Sequence, residues 1–424
     1  MVGALVPVFF GLLLFGLPIF GALALSVAAV LYFWGGIDPV LVPMRMFSGM
    51  NNFSLMSIPF FILAAELMRI GGLSERLINL ARAVVGWLPG GLAAAAIVAC
   101  LMFGSISGSS PATVIAIGSI LYPAMVDAGY DKYFSIGLIT TAGTLGPIVP
   151  PSIALIIYGS VTGTSVGQLF AAGLLPALLI GVILITYASW YSARKGYPRD
   201  AMPSVSSVVT AVKQAAWGLG LPVILLGGIY SGVFTPTESA AAACLYGWLV
   251  GAVVYRSISF RDTLTVLRNT GLISGPLLLI TAGASAFSWL LASTGAPSQL
   301  ASFILSDTSN GIVVLLLFNL ILLVAGCFLD SASAIIILGP LMMPIASQVG
   351  VDPIHFGVIM LVNLSVGMLT PPVGLNLFVA MGVANMKLGE VFRATLPTIV
   401  LMLIALAILT YVPVISMLLP STLF

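Results

Sequence analysis

The chain has 424 residues, of which 60% are hydrophobic and 6% are charged, and its mean hydropathy is +1.21. Because ordinary soluble domains carry about 25% charged residues, this composition excludes a soluble globular protein and predicts an all-α polytopic membrane protein whose main surroundings are the lipid bilayer. The net charge of +2 is too small to indicate a nucleic acid partner. No phosphate-binding loop of the Walker type is present, and nothing indicates an enzyme or a bound cofactor.

The first 37 residues carry no charge, which predicts retained membrane segments with a bend at Pro18 in place of a secretory leader. A helix at 51–68 precedes a charged patch. The cysteines Cys100, Cys244 and Cys327 lie in apolar runs and are expected to be small buried side chains.

A long uncharged run from Ala83 to Val126 has Gly, Ser and Pro at its centre, at Gly104–Pro111. One membrane crossing needs only about 20 helical residues, so the run predicts a hairpin with arms at 88–106 and 111–125. Unpaired backbone at membrane depth is tolerated only where protein buries it or a wet cavity receives it. The tip of this hairpin is therefore a candidate ligand site.

The next span, 133–158, is interrupted by Thr144–Ser152, which contains three prolines and a glycine. Proline removes a backbone donor and clashes with the preceding turn, so a broken helix is predicted here. Further spans are expected at 168–192, 215–232, 239–255 and 270–292. The moderately polar segment 194–214 is expected to be the longest aqueous or interfacial connection, with room for an amphipathic helix.

The chain then repeats itself with a constant shift of 221 residues. This shift superposes Ser110 on Ser331, Gly146 on Gly367, and the Pro150–Pro151 pair on Pro371–Pro372. It predicts a second hairpin, with arms at 311–328 and 333–346, and a second broken helix at 355–380.

Five spans separate the two hairpins, so the hairpins are expected to enter from opposite faces. With that count, all of the 14 Lys and Arg residues except Arg45 fall on the face that the first hairpin enters, which the positive-inside rule makes cytoplasmic. Inverted repeats with broken helices are typical of secondary transporters whose site lies between the repeats.

The repeats divide the chain into five parts. We expect N-terminal scaffold helices at 1–85, a first transport-domain repeat at 86–192, scaffold or arm helices at 193–270, a second repeat at 271–400, and a C-terminal membrane segment at 401–424.

Sodium prefers oxygen ligands, and small hydroxyls and freed carbonyls at half-helix ends supply them. Asp330 lies in a long uncharged stretch, where an acidic side chain is by default functional. The structural alternatives are small-residue helix packing for the Ser/Gly tip and a carboxylate that reaches the interface for Asp330. For Glu238 we favour a helix-capping role, for Glu66 a pair with Arg69 or a neighbouring helix, and for His355 a structural role.

Several segments resemble the large membrane subunit of tripartite ATP-independent periplasmic (TRAP) transporters, and the likeness covers nearly the whole chain. These segments are Ile58–Met68, Gly104–Thr113, Leu145–Ser152, Gly228–Glu238 and Leu369–Asn376. The resemblance implies an ion-transporter fold in a bacterial inner membrane and an elevator mechanism driven by sodium. It also implies a small four-helix (Q-type) membrane subunit, a periplasmic substrate-binding protein, and an organic acid such as sialic acid or a C4-dicarboxylate as substrate.

The resemblance also implies where the ligands bind. The sodium positions carried over by motif are Ser105, Ser107, Gly108, Ser109, Gly146, Asp330, Gly367, Thr370 and Pro371. The residues beside them are expected to contact substrate, namely Ser110, Thr144, Pro150, Ser152, Ser331, Ser333 and Asn376.

Two other functions stay open at this point. A stand-alone sodium symporter for dicarboxylate or citrate from the same superfamily would need no delivery protein. An ion channel or a proton-translocating subunit of a respiratory complex is a different class, but such subunits bury several Lys, Glu or His residues.

Overall fold

The fold is known from a computed structural model that describes residues 2–35, 38–295, 299, 302 and 310–424. The described residues form helices joined by short turns, with no β-strand among them. Within these residues nine helices are long and apolar enough to cross a membrane, and one further bent pair passes the same test as a broken span. The prediction of an all-α polytopic membrane protein is therefore confirmed.

The first ten helices are α1 (Val2–Leu14), α2 (Ile19–Val30), α3 (Leu41–Met50), α4 (Ser57–Ile70), α5 (Leu73–Val85), α6 (Gly91–Ser107), α7 (Ser110–Asp127), α8 (Lys132–Ala142), α9 (Leu145–Ile148) and α10 (Ile153–Thr162). The remaining ten are α11 (Val166–Lys195), α12 (Val205–Tyr230), α13 (Pro236–Leu249), α14 (Phe260–Ser293), α15 (Gly311–Phe328), α16 (Ser331–Gln348), α17 (Pro353–Gly367), α18 (Leu375–Ala384), α19 (Leu388–Tyr411) and α20 (Val414–Leu423). A π-helical turn extends α2 at Leu31–Gly35 and another extends α13 at Val250–Val254, and a 3-10 turn at Phe53–Met56 precedes α4.

Local capping explains where several helices begin. Asp131 accepts a hydrogen bond from the Phe134 amide at 2.9 Å, and Asp352 accepts one from the Ile354 amide at 2.7 Å. At α13 the Thr235 and Glu238 side chains form a reciprocal capping box, which satisfies backbone donors that a helix start leaves free. The expected capping role of Glu238 is confirmed.

Helix boundaries follow the sequence repeat closely. Helices α7 and α16 begin at Ser110 and Ser331, and α8 and α17 are capped by Asp131 and Asp352, so both pairs keep the shift of 221 residues. Each unit consists of a helical pair, a helix interrupted at a Pro–Pro pair, and a long closing helix, α11 in the first unit and α19 in the second. The opposite orientation of the two units in the membrane stays a prediction.

Small residues let each hairpin approach its own broken helix. A Cβ atom at Gly104 in α6 would lie 2.9 Å from the Cα atom of Gly146. A Cβ atom at Gly326 in α15 would lie 3.0 Å from the Cα atom of Gly367. Real Cβ contacts are almost never shorter than 3.0 Å and are rarely as short as 3.0 Å, so glycine at these positions lets the backbones meet.

The remaining helices pack among themselves beside the repeats. Helix α4 packs on α13, α12 packs on α5 and α13, and α14 packs on α2, α3 and α4. We call α1–α5 and α12–α14 the scaffold. It forms a wall against which the two hairpin tips lie.

Three of the predicted part boundaries fall inside continuous helices. Position 192 lies in α11, position 270 in α14, and position 400 in α19. The segment 194–214 does contain the start of a helix, because α12 begins at Val205 and runs unbroken to Tyr230. A long helix can pass from one part of the fold into the next without a break, so the end of a repeat in the sequence need not be the end of a helix.

Candidate substrate and cation site

The first hairpin turns at Gly108, between α6 and α7. Gly108 has φ +58°, and a Cβ atom there would lie 2.8 Å from the carbonyl oxygen of Pro151. The turn therefore rests on the cis Pro150–Pro151 pair that interrupts the first broken helix. The prediction that Gly104–Pro111 does not run as one helix is confirmed.

Three oxygen atoms meet at this tip. The hydroxyl of Ser107 lies 3.0 Å from the hydroxyl of Thr113 and 3.4 Å from the carbonyl oxygen of Ser109. The Thr113 hydroxyl donates to the same Ser109 carbonyl at 2.7 Å. Ser107 and Thr113 are both buried, so these oxygens form a small polar cluster in a largely apolar surrounding.

A hydrogen bond joins the tip of the first hairpin to the second broken helix. The Asn376 amide donates to the Ser110 hydroxyl at 2.6 Å, and the Ser110 hydroxyl donates to the Gly143 carbonyl at 3.0 Å. Asn376 is fully buried, and its side-chain oxygen has no partner among the described residues. An unpaired buried acceptor costs about 1–3 kcal/mol, so this oxygen is suited to receive a ligand donor or a cation.

The second hairpin turns at Leu329–Asp330, between α15 and α16. Asp330 is half-buried and caps α16, because its carboxylate accepts hydrogen bonds from the Ser333 amide at 3.2 Å and the Ser333 hydroxyl at 2.5 Å. The amides of Val373 and Gly374 both donate to the Cys327 carbonyl at 3.2 Å. The second tip is thus tied to its own cis Pro371–Pro372 break, as the first tip is.

Both tips line one cavity of about 230 Å³. Its wall includes Ser107–Ala112 from the first tip and Asp330–Ala332 from the second. Pro147, Met368 and Leu375 from the two broken helices complete this side. Residues from the two sequence repeats therefore converge on a single space.

The scaffold forms the opposite wall of this cavity. Helix α4 contributes Ile62, Ala65, Glu66 and Arg69, and α14 contributes Ile273 and Leu277. Arg69 forms a salt bridge with Glu66 at 2.8 Å. This is one of the two pairings that the sequence analysis expected for Glu66. The cavity consequently has a guanidinium group at its scaffold side and a carboxylate at the second tip.

The predicted site residues divide into two groups. Those that line the cavity are Ser107, Gly108, Ser109, Ser110, Asp330 and Ser331. Those that are not among its lining residues are Ser105, Thr144, Gly146, Pro150, Ser152, Ser333, Gly367, Thr370, Pro371 and Asn376. Several of the second group serve the backbone, as Ser105 donates to the Met102 carbonyl at 2.7 Å and Ser152 caps α10.

Sequence reasoning missed Thr113, Met368 and the scaffold residues of the cavity. Thr113 lies one turn beyond Ser109, so the helical period from the tip could have indicated it. Met368 accepts a hydrogen bond from the Ser331 hydroxyl at 3.3 Å, and no sequence signal marks it. Contacts such as those of Ile273 and Leu277 arise only from tertiary packing.

His355 lies away from the cavity and is satisfied by its neighbours. Its Nδ1 atom is 2.6 Å from the Ser416 hydroxyl, and its Nε2 atom is 3.4 Å from the Thr410 carbonyl. The structural role expected for this histidine is confirmed.

Two hairpins and two broken helices that meet at one cavity inside a helical membrane protein define a transporter fold. The chain matches the family model of the tripartite ATP-independent periplasmic transporter, DctM component, over residues 6–415. It belongs to this family, and it is therefore a multi-pass inner membrane protein and not an enzyme.

Curated relatives agree with this assignment. The isethionate TRAP transporter permease protein DctMQ of Oleidesulfovibrio alaskensis is 43% identical over 97% of this chain, which spans 66% of that relative's length. The C4-dicarboxylate TRAP transporter large permease protein DctM of Rhodobacter capsulatus is 42% identical over 97% of both chains. The crystal structure of the Alcanivorax borkumensis YdaH transporter has a similar fold, with a TM-score of 0.60 at 16% identity over 86% of each chain.

Proposed function

We propose that the chain imports a small organic acid across the inner membrane, coupled to sodium, as the large membrane subunit of a binding-protein-dependent transporter. The observation that carries this proposal is the cavity shared by the two hairpin tips. The relatives named for isethionate and C4-dicarboxylate support a small organic anion as the cargo. The small membrane subunit and the periplasmic binding protein are proposed partners on the same grounds.

The oxygen cluster of the first tip suits a sodium ion. Its three oxygens are 2.7–3.4 Å apart. An octahedral shell with bonds of about 2.4 Å, as around the similarly sized Ca²⁺, has neighbouring oxygens about 3.4 Å apart. A small outward shift of Thr113 would therefore let Ser107, Ser109 and Thr113 bind one ion, and the C-terminal end of α6 adds partial negative charge.

The second tip offers a charged ligand. Asp330 lines the cavity and, within the described part of the chain, has Ser333 as its hydrogen-bond partner, so its carboxylate retains acceptor capacity for a second cation. The organic anion would then lie in the cavity between the tips, with its charge balanced by the bound cations, because the Arg69 guanidinium on the scaffold wall is already paired with Glu66.

The arrangement of the cavity also supports an elevator mechanism. The tips form one wall and the scaffold helices α4 and α14 form the other. Movement of the repeats along this scaffold would carry the cavity between the two faces of the membrane. The elements that bind the cargo would keep their mutual contacts, because each tip is tied to its own broken helix.

The proposal is tested by uptake into proteoliposomes that contain this chain together with the small subunit and the binding protein. Labelled succinate, malate and isethionate are offered with an inward sodium gradient or with an equal potassium gradient. We expect sodium-dependent accumulation of at least one anion, and none when the binding protein is omitted. Equal uptake in potassium would remove sodium coupling, and full uptake by this chain alone would favour the stand-alone symporter.

A further inference from the structure

A second cavity of about 390 Å³ lies on the scaffold, away from the hairpin tips. Its lining is rich in uncharged polar side chains, among them Ser48, Asn52, Ser160, Thr281, Ser285 and Ser288. These residues come from α3, the turn before α4, α10 and α14. Asn52 donates to Ser160 at 2.9 Å, so the scaffold and the first broken helix meet across this cavity. We call it the polar pocket.

The polar pocket and the tip cavity share a wall. On α14 the tip cavity contacts Ile273 and Leu277, and the polar pocket contacts Thr281, Ser285 and Ser288. Leu277 and Thr281 are one turn apart, which is about 6 Å along the helix axis. The two cavities therefore lie in series along the same face of α14, between the scaffold and the repeats.

The cationic side chain of Arg45 lies beside the polar pocket. The Arg45 guanidinium lies 4.7 Å from the ring centre of Trp289. One turn away, α3 and α14 touch at Gly49, where a Cβ atom would collide with the side chain of Ser285. Because Arg45 and Gly49 share a face of α3, and Trp289 and Ser285 share a face of α14, the guanidinium lies at the rim of the pocket.

Arg45 retains its hydrogen-bonding capacity. In the described part of the chain no carboxylate lies within ion-pair distance of it, whereas Arg69 and Arg82 both have acidic partners. Stacking on an indole ring holds a guanidinium in place and leaves its in-plane N–H groups free for an anion.

The position of Arg45 along the membrane is also unusual. Helix α14 has Arg261 and Arg268 near its beginning, and Trp289 lies near its other end. The positive-inside rule then makes the Arg45 end of α14 periplasmic. Beside these uncharged hydroxyls and amides, the Arg45 guanidinium, which has no ion pair among the described residues, gives the pocket a local positive potential.

We propose that the polar pocket is a second binding site for the anionic group of the cargo, a carboxylate or sulfonate, which it accepts on the periplasmic side before the anion reaches the hairpin tips. Arg45 attracts the anionic group, and the serine, threonine and asparagine side chains replace its water shell. The role as a way into the transporter rests on the proposed function, whereas the preference for anions does not.

Charged thiol reagents test the anion preference without transport. Ser288→Cys is made in a Cys327→Ser background. Its labelling rate is measured with an anionic reagent, sulfonatoethyl methanethiosulfonate, and with a cationic one, trimethylammonioethyl methanethiosulfonate. Each rate is divided by the rate at which the same reagent labels free 2-mercaptoethanol. We expect the anionic reagent to react about fivefold or more faster, because a local positive potential concentrates anions. Arg45→Gln should bring the ratio close to one, and Arg45→Lys should preserve it.

Matched positions make this result decisive. Ser48→Cys is the second pocket variant if Ser288→Cys fails to fold, and Ser231→Cys, exposed at the end of α12, is the control that should show no dependence on Arg45. An unchanged ratio in Arg45→Gln, or no labelling by either reagent at both pocket positions, would overturn the proposal.

Protection separates the cargo from a lipid headgroup. Succinate or isethionate should slow labelling of Ser288→Cys in phosphatidylcholine vesicles. Protection by phosphatidylglycerol vesicles alone, with no effect of the soluble anions, would assign the pocket to lipid and overturn the proposal.

Uptake by the assembled transporter tests the role in transport. Arg45→Gln should raise KM for the transported anion about tenfold while kcat and the sodium response stay at wild-type values, since the variant loses only the first encounter. If the charge preference holds but no anion is taken up with sodium, the proposed function fails and the anion site stands. If uptake depends on sodium but is indifferent to Arg45, the site fails and the proposed function stands.

Discussion

The two hairpin tips share their backbone plan and differ in their chemistry. Each tip follows a helix that touches a broken helix through a glycine pair, and each rests on a cis Pro–Pro break. The first tip presents hydroxyl and carbonyl oxygens around a left-handed Gly108, whereas the second presents the carboxylate of Asp330 in extended backbone. The repeat has therefore preserved the geometry that brings ligands into the membrane and allowed the ligands themselves to diverge.

The largest expected effect tests the shared geometry. Gly104→Ala and Gly326→Ala each place a Cβ atom within about 3.0 Å of a partner glycine Cα atom, and overpacking of this kind costs about 1–3 kcal/mol. We expect both variants to lose uptake and to lower the melting temperature of the purified complex by similar amounts.

The control for this pair is Gly227→Ala, because a Cβ atom at Gly227 meets nothing within 4 Å. This variant should keep wild-type stability. If one hairpin glycine tolerates alanine and the other does not, the two tips are not held by the same contact and the comparison fails.

The next effect tests the charge of the second tip. Asp330→Asn keeps the size of the side chain and removes the negative charge that we assign to cation binding. The sodium concentration for half-maximal uptake should rise about tenfold or more, since charge-assisted ligands are roughly twice as strong as neutral ones.

Asp352→Asn is the matched control, because Asp352 also caps a helix but does not line the cavity. The Asp352→Asn variant should lose a helix-capping carboxylate, as Asp330→Asn does, but its sodium requirement should stay at the wild-type value. Equal sodium responses in the two variants would remove Asp330 from the site.

A smaller effect tests the neutral ligands of the first tip. Thr113→Val replaces a hydroxyl with a methyl group of similar shape and leaves the Ser109 carbonyl with one donor fewer. We expect about a fivefold rise in the sodium requirement, because a neutral oxygen contributes about 1 kcal/mol.

Thr140→Val controls for the loss of a buried hydroxyl, since Thr140 donates only to the Ile136 carbonyl in its own helix. Its sodium requirement should equal that of the wild type. A Thr113→Val variant with the wild-type sodium curve would show that the first tip binds no ion through this oxygen.

The smallest effect lies outside both tips, at the exposed ion pair of Arg82 and Asp200, whose atoms approach to 2.7 Å. The hydrogen bond from Arg82 lowers the pKa of Asp200. The charged carboxylate therefore stabilises the fold at neutral pH, and this contribution is lost as the pH falls below the usual value of about 3.9. Asp200→Asn should lower the free energy of unfolding by no more than about 1 kcal/mol at neutral pH.

The measurement is the difference in melting temperature between wild type and Asp200→Asn as the pH is lowered. This difference should shrink towards zero in acid. Asp127→Asn is the control, since Asp127 has no ion pair among the described residues. A difference that grows in acid would contradict the sign of the pKa shift.

Much of this fold follows from the sequence for identifiable reasons. Helix breakers are local, so the interruptions near Gly108, Pro150 and Pro371 and the duplicated plan could be predicted from residue type alone. The pairing of Glu66 with Arg69 and the cap at Glu238 also depend on neighbours along one helix. The part boundaries at 192, 270 and 400 did not follow from the sequence, because α11, α14 and α19 each continue through the predicted position.

The site was predictable only in part. The tip residues could be identified from the sequence, because polar groups in a long apolar run are costly to place in the membrane and are by default functional. The hydrogen bond between Asn376 and Ser110 joins the two repeats, and the scaffold wall of the cavity depends on how α4 and α14 pack. Neither follows from spacing along the chain, and the polar pocket beside Arg45 carried no motif at all.

Direct binding of ²²Na⁺ to the purified complex tests the central claim, that the two tips together hold the coupling cations. The wild type should show saturable binding that Ser107→Ala weakens and the double variant Ser107→Ala with Asp330→Asn abolishes, while Asp352→Asn binds as the wild type does. Saturable binding of wild-type strength in the double variant would contradict the account.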